Sequence, residues 1–215
     1  MGIIGVEFEE IDTCFHDRSN VNSVGGGRMS IITQNVDGLH LKAGSINVTE
    51  LHGRNDRLIC MNCGHFSCRH HFHDLLDDLN PDFIDSISAE GSNLLPDGDG
   101  SSRHENFDNL LIPSCPRCSS GFFKPDVVFF GDNVPRSRVD RCYAAVSAAD
   151  GILCIGTSLA VYSAFRFVQA AHKNNTPIAV LNVGETRAER CGIPITKIEA
   201  PIGATLSSVV RTLKG

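Results

Sequence analysis

No stretch of the chain approaches the roughly 18 consecutive apolar residues that a membrane-spanning helix needs. Positive charge is also short: 25 acidic side chains against 19 Lys and Arg leave a formal net charge of −6. A nucleic-acid binder normally presents a basic face, so that class is disfavoured. Residues 1–12 are acid-rich and lack arginine, unlike a mitochondrial transit peptide or a secretory signal. Met1-Gly2 invites acylation, but Val6 stands where N-myristoylation requires Ser or Thr. What remains is the composition of an ordinary globular protein, 41% hydrophobic and 20% charged. Its 215 residues suit one domain carrying an insertion.

Nine cysteines are many for such a chain. Four form two hooks, Cys60-Met61-Asn62-Cys63 and Cys115-Pro116-Arg117-Cys118, with 51 residues between them. Two hooks supply four thiolates, the number a structural tetrahedral zinc takes, and each tight turn lets two sulfurs reach one ion. With no secretory signal in view, metal ligation is favoured over a disulfide framework. The gap exceeds the usual spacing of about 15–20 residues, so a sub-loop must bulge between the hooks. Residues 74–108 carry ten acidic side chains and one basic one, Arg103, which reads as a solvated face rather than a docking surface. Cys68, His70, His71 and His73 lie near the first hook, but four hook cysteines already complete a site. Cys14, Cys142, Cys154 and Cys191 are scattered.

The elements follow from periodicity. Met29, Ser30, Ile31 and Ile32 read as a buried strand, and Ile3 to Val6 as a possible short one, whereas residues 19–27 have loop chemistry. Val127, Val128, Phe129 and Phe130 read as a buried strand closed by Gly131, Asp132 and Asn133. Pro135 starts a helix whose inward face is Val139, Cys142, Tyr143 and Val146. Strands over 152–155, 178–181 and 195–199 alternate with helices over 159–173 and 204–213. Such alternation implies right-handed crossovers and a doubly wound parallel sheet.

In these sheets ligands bind beyond the carboxyl ends of the strands. There stand Gln34, Asn35 and Asp37, then Gly131 and Asp132, then Gly156-Thr157-Ser158, and then Asn182 and Gly184. Amides, hydroxyls and a Gly-Thr-Ser turn opening a helix suit a nucleotide. His52, between that amide cluster and the first hook, is a candidate proton carrier near neutral pH.

Taken together, Thr33-Gln34-Asn35-Val36-Asp37, Glu50-Leu51-His52-Gly53, the two hooks, the 124–131 stretch, Gly156-Thr157-Ser158 and Val180-Leu181-Asn182 resemble the sirtuin family over residues 28–213. The long insertion, with Leu79-Asn80-Pro81 and Pro96-Asp97-Gly98-Asp99, is most similar to the class II, sirtuin-4 branch. The resemblance implies a Rossmann-like NAD-binding domain, residues 28–59 and 119–215, with a zinc module inserted at 60–118. It implies an NAD-dependent protein-lysine deacylase, of deacetylase or lipoamidase type, or a protein ADP-ribosyltransferase. Gln34, Asn35, Val36 and Asp37 would hold the nicotinamide end of the cofactor, and His52 would be the general base. Gly156, Thr157 and Ser158 would meet phosphate and ribose; Asn182, Val183, Gly184 and Ile202 would line the adenosine side. Val128, Phe130 and Gly131 would pair with an acylated-lysine protein substrate. Cys60, Cys63, Cys115 and Cys118 would bind one structural zinc. Neither nucleic acid nor membrane is implied as a partner, and the branch is one of the mitochondrial matrix.

The family's first strand, Gly-Ala-Gly-x-Ser loop and Pro-Asp-Phe/Tyr-Arg motif have no counterpart in residues 1–27, which stay unmatched. The first central strand is therefore expected to be absent unless Ile3 to Val6 fill its place. The alternative to an enzyme with an incomplete cofactor cradle is a catalytically silent, zinc-bearing binding protein.

Overall fold

The computed structural model describes residues 2–4, 29–81, 83 and 109–214. The chain runs β1 (Gly2–Ile4), β2 (Ser30–Thr33), helix α1 (Leu39–Lys42), β3 (Val48–Glu50), β4 (Gly53–Cys60), β5 (Phe66–Cys68), helix α2 (Arg69–Leu79) and β6 (Phe123–Val127). It continues through α3 (Arg136–Ser147), β7 (Ile152–Ile155), α4 (Tyr162–Lys173), β8 (Ile178–Leu181), α5 (Arg187–Arg190), β9 (Thr196–Ile198) and α6 (Ile202–Lys214). Contacts divide it into two units, Met1–Arg54 with Val127–Gly215, and Asn55–Asp126. The smaller unit starts before the first hook and ends after the second, because the strands that carry the hooks fold with it.

In the larger unit the described strands form a six-stranded sheet in the order β3-β2-β1-β7-β8-β9, every neighbouring pair parallel. This is the doubly wound arrangement expected from the alternation of elements. One expectation needs correction: the central position is filled. Gly2 pairs with Ser30 on one side and Ile152 on the other, so β1 supplies both neighbours with ladder partners that would otherwise be exposed at great cost. Cys14, the 19–27 loop and the insertion from 84 to 108 lie outside the described residues.

A second correction concerns residues 127–130. The strand here is Phe123–Val127, and it belongs to a separate three-stranded sheet ordered β5-β4-β6. Phe129 and Phe130 are 53% and 102% exposed. The chain turns at that point: the Asp132 N–H donates to the Phe129 carbonyl, and Gly131 takes the left-handed φ of 92°. A short apolar run does not distinguish a buried strand from an exposed turn.

The core of the larger unit lies between its sheet and the helices α3 and α4. Val139, Cys142 and Val146 are buried as their spacing predicts, while Tyr143 stays 36% exposed and sets its ring edge against Phe167 at 5.0 Å. Helix α4 buries Ala164, Phe165, Phe167, Val168 and Ala171. Each phenylalanine contributes about 1.5–3 kcal/mol by leaving water.

Helix α5 begins with a capping box in which Thr186 and Glu189 satisfy each other's backbone and side-chain groups. Lys197 on β9 completes the cluster at 2.8 Å from Glu189 Oε2. The cluster holds the turn after β7, since the Arg187 N–H donates to the Ser158 carbonyl and its guanidinium lies 4.6 Å from the Phe165 ring centre.

In the smaller unit β4 and β5 pair antiparallel, Arg57 opposite Cys68. The acidic stretch is not all loop, because α2 runs through its first residues to Leu79. Just beyond that helix, buried Asn80 grips Leu111 at both polar atoms. Its Nδ2 donates to the Leu111 carbonyl and its Oδ1 accepts from the Leu111 N–H, each at 2.8 Å. This pair of hydrogen bonds ties the residue after α2 to Leu111.

Lys197 first, and then the N–H and hydroxyl of Thr186, hold the Glu189 carboxyl down to about 2 from its ordinary 4.5. A depressed folded pKa contributes stability that is complete above about 4.5 and disappears as pH falls toward 2. Thermal unfolding should therefore show wild type above Glu189→Gln at pH 6, with the gap narrowing below about pH 4.5 and closing only as pH falls to about 2.

Candidate active site and metal centre

Two parallel strands bring the candidate residues together. Register places Thr33 opposite Glu50, and the next residue, Leu51, donates its N–H to the Thr33 carbonyl at 2.8 Å. Leu51 is fully buried in the core of the larger unit. With Leu51 anchored and Gly53 taking a φ of 93° that a side chain would resist, the intervening His52 is held next to Gln34.

One His52 ring nitrogen, Nε2, lies 2.8 Å from Ser163 Oγ on the first turn of α4. The ring also bonds to the Gln34 backbone. Burial lowers the His52 pKa from 6.5, the Gln34 bond opposes that, and the Arg138 charge adds to it. The net shift favours the neutral imidazole, the form a base needs.

Gln34 and His52 line a cavity of about 490 Å³, together with Val36, Val128, Phe130 and Gly131. Asp132, Tyr162, Ser163 and Arg166 also face it. The Gly-Thr-Ser turn joins this group through Gln34 Nε2, which donates to Thr157 Oγ1 at 3.2 Å. Asn35 and Asp37 serve the loop: the Asn35 N–H donates to Thr33 Oγ1, and Asp37 Oδ1 accepts from the Leu39 N–H. Asn182 donates to the carbonyls of Val183 and Gly184, and Ile202 packs beside Ile155 and Leu181. Gly156 and Ser158 follow the carboxyl end of β7, Asn182 to Gly184 that of β8, and Ile202 opens α6 after β9; none of them lines the cavity.

Tyr162, Ser163 and Arg166 escaped the sequence reading. Their signal was present: on a helix opening after Gly-Thr-Ser, Arg166 lies next to both Tyr162, four residues before it, and Ser163, three before it.

The order of the larger sheet reverses between β1 and β7, which makes the end of β7 the switch point where such sheets hold ligands. Gly156-Thr157-Ser158 stands there, with Gly156 at a φ of 61°. Thr157 Oγ1 already accepts from the Leu159 N–H and from Gln34, so its own proton is left for an acceptor. That donor suits the phosphate or ribose oxygens of a dinucleotide.

In the smaller unit the sulfurs of Cys60, Cys63, Cys115 and Cys118 all lie within 4.8 Å of one another. Cys60 to Cys118 and Cys63 to Cys115 are each 3.7 Å, against edges of about 3.8 Å in a tetrahedron with Zn–S near 2.3 Å. Backbone N–H groups face this cluster: that of Cys63 lowers the Cys60 thiol and that of Ser120 lowers Cys118 to about 6. Gly121 completes the fit, since a Cβ there would lie 2.3 Å from Cys60 Sγ and 3.1 Å from Cys118 Sγ. The donor set and its size fit zinc. Cys142 and Cys154, by contrast, are core thiols that burial pushes up to about 12.

A doubly wound sheet with a polar switch point, a histidine-bearing cavity and a four-cysteine cluster defines a class, and the comparisons agree. Residues 15–163 match the Sir2 family, and the chain belongs to it. It is 51% identical over 159 residues to an NAD-dependent protein deacetylase of Xanthomonas campestris pv. campestris (strain 8004), covering 74% of this chain and 53% of that protein. It is 48% identical over 159 residues to the NAD-dependent protein deacylase sir-2.2 of Caenorhabditis elegans, covering 74% of this chain and 55% of the relative. The chain thus spans about half the length of these curated relatives. A solved Sir2 enzyme structure is 29% identical with a TM-score of 0.59, over 86% of this chain and 61% of that one. Sir2Af2, solved with a myristoylated histone peptide, is 28% identical with a TM-score of 0.57 and matches 86% of this chain and 64% of its own.

Zinc content by mass spectrometry should be about one per wild-type chain, and a chelator should lower its melting temperature. Gly121→Ala should reduce both the bound zinc and the melting temperature.

Proposed function

We propose that this chain carries the reaction centre of an NAD-dependent protein-lysine deacylase. The observation that supports it most is a half-buried His52, its pKa lowered by burial, lining a cavity at the sheet's carboxyl edge next to Gln34, which is tied to the turn at the switch point. When bound, NAD supplies an activated ribose carbon from which nicotinamide can leave. Gln34, Asn35, Val36 and Asp37 hold the nicotinamide end, and Gly156, Thr157 and Ser158 the phosphate and ribose oxygens. Asn182, Val183, Gly184 and Ile202 border the adenosine. His52 accepts a proton at Nε2 from a hydroxyl in the cavity. Val128, Phe130 and Gly131 receive the backbone of an acylated-lysine peptide beside the cavity mouth, where Phe130 is fully exposed. Zinc, on Cys60, Cys63, Cys115 and Cys118, holds the smaller unit folded and moves no proton.

Protein ADP-ribosyl transfer would use the same residues with another nucleophile, and the two outcomes separate by product. Incubation with NAD and acetyl-lysine peptide should release nicotinamide and deacylated peptide in equal amounts. His52→Ala should lower that rate by about 10²–10⁴-fold, the usual contribution of a general base, while leaving zinc content unchanged. Nicotinamide release with label transferred to the peptide would favour ADP-ribosylation. Calorimetry showing no NAD binding, alongside intact peptide binding, would favour a silent binding protein.

A further inference from the structure

We propose that Ser163 is a positioning residue for His52: its hydroxyl donates to Nε2, fixing the Nδ1–H form of the ring and marking Nε2 as its basic atom. A neutral imidazole carries one N–H and one in-plane lone pair. The bond to the Gln34 backbone favours the protonated ring, as only an N–H donating to a carbonyl can. Nε2 is occupied by Ser163 Oγ at 2.8 Å, so the nitrogen facing Gln34 is Nδ1. Nε2 must then accept, and Ser163 must donate.

Both ends of this contact are anchored. His52 sits between the fully buried Leu51 and the left-handed Gly53. Ser163 precedes Ala164 and Phe165, at 0% and 1% exposure, so the first turn of α4 cannot shift without disturbing the core. The hydroxyl therefore acts as a fixed template for the donor that replaces it. A substrate hydroxyl arriving at Nε2 takes over the same lone pair, with the ring already in the correct form and plane. The charged groups near the ring are Arg138 on α3, Arg166 one turn beyond Ser163, and Asp132 in the turn after β6; the last two line the same cavity. The catalytic meaning of this arrangement rests on the deacylase reading above, but the ring geometry does not.

The test is nitrogen-15 NMR of the His52 imidazole, titrated from about pH 5 to 9 across its ordinary range, in wild type, Ser163→Ala and Ser163→Thr. Wild type and Ser163→Thr should show the single Nδ1–H form. Ser163→Ala should show a mixture of both neutral forms. Its titration midpoint should rise, because a donor that favoured the neutral ring has been removed. In turnover, the acid limb of the kcat/KM profile should move upward in Ser163→Ala and return in Ser163→Thr. An unchanged ring form and midpoint in Ser163→Ala would overturn the proposal. If the alanine variant fails to fold, Ser163→Cys, a near-isostere with a weak donor, gives the same two readouts. The shift in ring form without turnover in any variant would leave the positioning role standing and overturn the deacylase reading. Turnover in wild type with an unmoved ring form would do the reverse.

Discussion

A single backbone hydrogen bond, from the Leu51 N–H to the Thr33 carbonyl, sets the positions of Gln34 and His52, the two residues at the centre of the site. It is the last rung between β2 and β3, and register alone decides which residues come after it. Because the strands are parallel, their exits lie on the same edge, so Gln34 and His52 emerge side by side. A slip of one residue would turn Leu51 out of the core and His52 into it. The apolar burial of Leu51 opposes that slip by about 1.5–3 kcal/mol, and desolvating the imidazole without partners would oppose it further.

That rung also explains the electrostatics. The edge of a parallel sheet is where backbone carbonyls and polar turns gather, and His52 is just deep enough there for burial to outweigh its bond to Gln34. The net effect is a lowered pKa. The same depth leaves Nε2 facing the cavity rather than the core. Arg138 works in the same direction as burial, so the ring is kept uncharged by two independent causes.

How much of this was legible in the sequence depended on whether the signal was local. The hooks were legible because the ligand spacing of a Cys-x-x-Cys turn is contained in four residues; the tetrahedral fit, and the glycine at 121 that makes room for it, were not. Strands over 152–155 and 178–181 showed themselves as apolar runs with Gly or Pro at their borders. The 127–130 run had the same local appearance, yet its phenylalanines are exposed, because burial is decided by neighbours far away in the chain. The central strand was misjudged for a related reason. The run beginning at Ile3 reads as a possible short strand, but three residues, Gly2 to Ile4, carry too little pattern to say where a strand belongs, and only pairing on both sides puts it at the centre. The small sheet and α2 were missed because the charged, histidine-rich residues between the hooks follow no clear period.

The partners of His52 illustrate the same limit at the site itself. Ser163 lies 111 residues away, and nothing in the local sequence of either residue names the other. What joins them is the crossover that returns the chain from the end of β7 into α4, above the same sheet edge that carries His52. The fold spends its strongest burial, at Leu51 on one side and Phe165 on the other, on the neighbours of these two polar residues rather than on the residues themselves. That distribution lets a histidine and a serine face a solvent-reachable cavity while remaining as precisely placed as core side chains. It also makes their geometry a property of the sheet rather than of a bound ligand.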